Sequence, residues 1–214
     1  MKTFFTLFIL LFTATVFSQN YAALNAYTKV SNKISQNRLE LESEIVGSTT
    51  LPMLYKYKNE KLILNGSGLN KHHYACGLYL EIPKSDGQSV LDANEFMIIR
   101  LDMLNKKTIT YDKFKKMIKK SFYEINAPHI TSKLKNEIEL FFENAEGIYI
   151  NEGDKVDIVY DPLNGVSFYI NYEEKFSIRG IEFKKAIFNI WLSEEASDKK
   201  LKKELLNGAK EYFK

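Results

Sequence analysis

Residues Leu62 to Ile82 read LILNGSGLNKHHYACGLYLEI, and the pattern within them decides the fold. Leu62, Ile63 and Leu64 form an apolar run that breaks at Asn65-Gly66-Ser67-Gly68. Beyond it Tyr74, Cys76, Leu78 and Leu80 alternate with Ala75, Gly77 and Tyr79. Successive strand residues point to opposite faces, so the pattern predicts two strands joined by a tight glycine turn. Gly66 and Gly68 offer either positive-φ backbone or room for a neighbour to approach closely. His72 and His73 stand just ahead of the second strand, with side chains expected on opposite faces.

Working outward, Leu51 to Tyr57 reads as a strand, turned at Asn59-Glu60-Lys61 into Leu62. Further back, Tyr21 to Val30 suits a short helix and Arg38 to Val46 a strand. On the other side, Pro83 to Gly87 is a loop, and Phe96 to Leu104 is a strand with Arg100 and Asp102 interspersed. Thr110 is a plausible N-cap with Asp112 in the first turn. Phe114, Met117, Ile118, Ser121, Phe122 and Ile125 then recur at helical spacing against a lysine-rich face, read as solvated. Ala127-Pro128 ends that helix. A second helix is expected from Thr131 to Ala145, closed by Gly147. Val156, Ile158 and Tyr160, a turn at Asp161 to Gly165, then Val166, Phe168, Ile170 and Tyr172 predict a hairpin. A short strand at Phe176 to Ile178, a helix at Phe183 to Leu192, and a last helix capped by Ser197 complete the chain. Asp154, Asp157 and Asp161 read as solubilising residues at strand edges.

The 214 residues, 45% hydrophobic and 27% charged, fit one domain with a substantial core. Fifteen Phe, 13 Tyr and 1 Trp suit a thick β-rich core or an aromatic-lined pocket. A net charge of +3, with Lys2 in a segment expected to be removed, is too small a basic footprint for nucleic acid. That segment, MKTFFTLFILLFTATVFS, has a basic start, an apolar core from Phe4 to Phe12, and Val16 and Ser18 before Gln19. It reads as a secretory signal peptide cut after Ser18, giving a secreted or periplasmic protein with no membrane span in the remainder. Cys76 is the single cysteine, so no internal disulfide is possible, and it reads as an inert strand residue. The three histidines show no metal-site spacing with neighbouring carboxylates, and no nucleophile elbow, P-loop or zinc-helix motif occurs. No cofactor is implied.

The Leu64 to Leu80 stretch also resembles the chalcone isomerase-like proteins, their bacterial secreted branch most closely. In that branch an LNG-x-G-x-R turn leads into a strand ending Leu-Tyr-Leu, as Leu78-Tyr79-Leu80 does here. The arginine position is occupied by Asn70. Glu152-Gly153-Asp154, the Pro162-x-x-Gly165 turn, Ile190-Trp191-Leu192 and Leu205-Leu206 extend the resemblance over roughly residues 50 to 208. Ser193 and Tyr172 depart from glycines common in the family, which reads as structural drift.

The resemblance implies an α+β fold: a large antiparallel β-sheet with helices packed on one face, an open-faced sandwich with a cleft between. The implied layout is a signal peptide at 1–18, an extension at 19–48, the chalcone isomerase-like domain at 49–208 and a tail at 209–214. Plant enzymes of the family close a chalcone by phenolate attack on an enone, and non-enzymatic relatives bind fatty acids in the same cleft. In both, an arginine from the glycine turn meets the negative charge, with a tyrosine near the first helix. A guanidinium suits that task because it offers charge-assisted, bidentate hydrogen bonds.

Asn70 can hydrogen-bond an oxygen but supplies no charge, and Lys71 on a strand would face away. By the resemblance Tyr111 takes the place of the family tyrosine, or else is an aromatic packed at a helix start, and Tyr74 falls near a position where the enzymes carry a hydroxyl, or else is core. Asn70, Tyr74 and Tyr111 are therefore the candidate ligand-binding residues, with Tyr74 and Tyr111 the candidate catalytic ones. Three readings follow: a non-catalytic binder of a hydrophobic small molecule such as a fatty acid; an intramolecular lyase or isomerase acting on an enone; and an envelope protein-interaction domain without a cleft.

Overall fold

The computed structural model describes residues 42–208. The expected signal peptide and the short helix at Tyr21 to Val30 lie outside the described residues. A hairpin of β1 (Ser43–Val46) and β2 (Thr49–Pro52) comes first. Seven further strands make one sheet in sequential order: β3 (Leu54–Tyr57), β4 (Glu60–Asn70), β5 (Tyr74–Leu80), β6 (Met97–Met103), β7 (Lys155–Asp161), β8 (Gly165–Ile170) and β9 (Glu173–Ile178). Every neighbouring pair is antiparallel. The helices are α1 (Gly87–Asp92), α2 (Tyr111–Ile125), α3 (Pro128–Lys133), α4 (Lys135–Asn144), α5 (Ile181–Leu192) and α6 (Lys199–Leu205). This is the expected α+β architecture, with helices on one face of a large antiparallel sheet.

Period-two alternation sorts the sheet into two buried faces. Cys76, Leu78, Ile99, Ile158, Val166 and Phe168 meet α2, α4, α5 and α6 in the main core. Ala75, Tyr79, Ile98 and Val159 face the other way and are covered by Val46 and Leu51 of the β1–β2 hairpin. Both faces of the central strands are therefore dry, which is why β5 is buried almost throughout.

The LNGSG segment is not the expected turn. It lies inside β4, where the register shifts between Leu64 and Gly66, a bulge at Asn65. Leu64 pairs with Tyr79 on the hairpin face, whereas Gly66 pairs with Leu78 on the helix face. The chain reverses instead at Lys71 to His73, where Lys71 takes a φ of 48° rather than a strand conformation. Gly66 and Gly68 supply room: a Cβ on Gly66 would lie 2.3 Å from the Glu204 carbonyl oxygen, and one on Gly68 2.9 Å from Leu201 Cδ1. Helix α6 thus rests on bare β4 backbone. Asn65, fully buried, donates to Leu205 O at the α6 end at 2.8 Å and accepts from Lys84 N in the loop after β5 at 2.7 Å.

Other boundaries shift for local reasons. Pro52-Met53 divides the strand expected over Leu51 to Tyr57 between the hairpin and the sheet. The helix expected from Thr131 to Ala145 is two, α3 and α4, parted at Leu134, whose φ and ψ of −96° and 19° leave the helical region. Helix α1 follows a loop where no helix was expected, capped by Asp86 Oδ2 accepting from Ser89 N at 2.7 Å. Asp198, not Ser197, caps α6. β8 ends at Ile170, and Asn171 and Tyr172 form the turn with φ of 52° and 69°.

Asp157 and Asp161 are buried rather than solubilising, at 1% and 3% exposure. On the hairpin face, Arg100 sits opposite Asp157 across β6–β7 and donates to Asp102 Oδ1 at 3.0 Å. Arg100 also donates to the Tyr172 hydroxyl at 2.8 Å, so Tyr172 carries a role that a glycine there could not fill. Tyr55 donates to Asp157 at 2.7 Å and Thr49 of the hairpin to Asp102 at 2.7 Å. Burial holds the Asp157 carboxyl above its ordinary value against the pull of Arg100.

Candidate functional site

Between the sheet and α2 lies an apolar cavity of about 330 Å³. Its floor comes from alternate helix-facing residues of four strands: Tyr74, Leu101, Val156, Ile158 and Phe168 among them. The amphipathic spacing of α2 brings Phe114, Met117, Ile118 and Ser121 over this floor, and Ile190 and Trp191 of α5 close the far wall. Beyond Phe168 the space is filled by aromatic packing, with Phe168 stacked on Phe176 at 4.9 Å and edge-on to Phe141 at 4.9 Å. At the mouth stand His73, Asn105 and Lys113.

The structure separates the three sequence-derived candidates. Tyr74 lines the cavity, and its hydroxyl oxygen accepts from Trp191 Nε1 at 3.2 Å. Among the described residues nothing accepts the Tyr74 proton, so the phenol is free to donate into the cavity. Burial raises its pKa well above the ordinary phenol value, which keeps it neutral. Tyr111 is not in the lining: its hydroxyl donates to the Phe142 carbonyl at 2.8 Å, tying α2 to α4. Asn70 is not in the lining either. It donates to Asp198 Oδ2 at 3.1 Å, and Asp198 Oδ1 accepts from Leu201 N as the α6 cap.

The cavity-lining residues that sequence reading passed over were visible only as core positions. Phe114, Ile118, Ile190 and Trp191 stood on the apolar faces of their helices, and nothing in that spacing distinguishes a wall from a packed interior. Arg100, the one arginine in the sheet's central strands, is on the opposite face and does not reach the cavity. Cys76 is fully buried, and burial pushes its thiol far up, away from nucleophilic use. Among the described residues no group of three or more His, Cys, Asp or Glu is placed to hold a metal ion, and no helix is long and apolar enough to cross a membrane.

A curled antiparallel sheet with a helix-covered apolar cleft defines the structural class. The family model described as chalcone isomerase-like matches residues 43–207, and the chain belongs to that family. Among solved structures it is similar to a fatty-acid binding protein of Arabidopsis thaliana, with a TM-score of 0.59 and 17% sequence identity over 81% of this chain and 100% of that one. No curated protein matches the sequence.

Proposed function

We propose that the domain binds a hydrophobic small molecule of the fatty-acid class in the cavity between the sheet and α2, and does so without transforming it. The observation that carries this reading is the cavity itself, walled by aliphatic and aromatic side chains and open at one polar mouth. Its volume falls at the lower end of the roughly 300–1,000 Å³ typical of small-molecule sites. The Arabidopsis structural neighbour, named as a fatty-acid binding protein, supports the ligand class.

Ring closure onto an enone needs a stabilised phenolate and a developing enolate. The cavity lining contains a neutral tyrosine and a mouth lysine, with no guanidinium. That arrangement favours holding a ligand over activating one. Residues 1–18 we read as an export signal, which puts the binder outside the cytoplasm; an intact mass beginning at Gln19 in secreted or periplasmic material tests that separately.

The binding reading is tested by filling the cavity. Ser121 faces the void from α2, so Ser121→Trp should abolish uptake of the neutral fluorophore N-phenyl-1-naphthylamine while leaving the circular dichroism spectrum unchanged. Undiminished uptake by a folded Ser121→Trp variant contradicts the site.

A further inference from the structure

A second, open groove of about 590 Å³ adjoins the mouth of the apolar cavity, and the two share His73 and Asn105. Four loops build it: the β1–β2 turn, the β4–β5 turn, the segment leading from β6 towards α2, and the α4–β7 loop at Glu152. Lys71, His72, Lys106 and Lys107 line the groove and Lys113 stands just inside the cavity. Glu152 is the only carboxylate in the two linings. Among the described residues, none of these four lysines has an ion-pair partner. Their charge therefore converges on the point where a ligand's polar end would leave the apolar walls.

From this placement we infer that the ligand is an anionic single-chain amphiphile, seated with its chain in the cavity and its head group in the lysine groove. The inference rests on the cavity reading and adds an orientation and a charge to it. The electrostatics decide which end goes in. A carboxylate or phosphate at the inner end would meet only neutral donors, Tyr74 and Ser121, and an ion buried without a counter-charge is strongly disfavoured. At the mouth the same anion keeps part of its hydration and gains charge-assisted bonds from ammonium groups. Asn70 is bonded to the Asp198 cap of α6, and the lysines beside the cavity mouth come instead from the β4–β5 turn and the segment before α2.

The test displaces N-phenyl-1-naphthylamine with dodecanoate, dodecyl phosphate and dodecanol, which share one chain and differ in the head group. One or both anions should displace at concentrations about tenfold or more below the alcohol, as a charged hydrogen bond warrants. The stronger anion identifies the head group as carboxylate or phosphate. The gap should close in the Lys71→Gln/Lys106→Gln/Lys107→Gln/Lys113→Gln variant and persist in Tyr74→Phe. Equal displacement by all three compounds overturns the inference while leaving the cavity reading intact. So does a preference lost in Tyr74→Phe but kept in the lysine variant, which would place the head group at the inner end. A protein that takes up neither fluorophore nor any of the three refutes the cavity reading, and this one with it.

Discussion

Asn65, Gly66 and Gly68 show how one short motif can be structural while looking like a binding turn. The alternation of apolar residues located two strands correctly, but it contains no mark for a bulge, so the reversal seemed to fall on the glycines. Their function depends on a partner more than 130 residues away in sequence, the α6 backbone at Glu204 and Leu205. Gly66→Ala should destabilise the fold by about 1–3 kcal/mol or more, because the clash is with backbone that cannot rotate aside; urea denaturation reads the difference. Cys76 gives a simpler check on the core. With its thiol fully buried and its pKa raised, Ellman's reagent should leave it untouched in the native protein and react only on unfolding. Tyr74 and Tyr111 were both singled out by resemblance; strand alternation shows only which face Tyr74 shares, and nothing in the sequence shows that the Tyr111 hydroxyl is occupied by the Phe142 carbonyl.

At the scale of elements, the long helices α2 and α5 and the β7–β8 hairpin were readable because each spans several repeats of its period. Helix α1 was not, since six residues contain too few turns to establish one. What fixes α1 is Lys184 on α5, fully buried, whose ammonium donates to the carbonyls of Val90, Leu91 and Ala93 at 2.8–2.9 Å. These are among the orphan acceptors at a helix C-terminus. Burial lowers the Lys184 pKa to about 8, so the group remains a cation at neutral pH. Lys184→Met keeps most of the apolar stem but strands three carbonyls. At roughly 1–3 kcal/mol for each acceptor left buried and unpaired, it should lower stability by several kcal/mol. Thermal melting would show it, and an unchanged midpoint would remove the carbonyl-capture account of α1.

The molecule as a whole carries phenols that folding takes largely out of water. Burial raises Tyr55, Tyr74 and Tyr79 above the ordinary value near 10, with Asp157 adding to the shift of Tyr55. The unfolded chain releases these protons near pH 10 while the folded chain retains them. The stability they contribute is therefore complete below pH 10 and is lost as the pH climbs beyond it. Absorbance at 295 nm should show a set of tyrosines ionising together with unfolding rather than before it. The fold class was legible because strand and helix periods follow each other in family order. The cavity was not, because it is a space left by side chains that each look like core.

Whether that space holds a ligand is decided by native mass spectrometry of the purified protein, followed by solvent extraction. A ligand-holding cavity gives a fraction of molecules heavier by one single-chain lipid, released on extraction and absent from Ser121→Trp. A protein that is bare as purified, and that stays bare after incubation with dodecanoate, dodecyl phosphate and dodecanol, would contradict it.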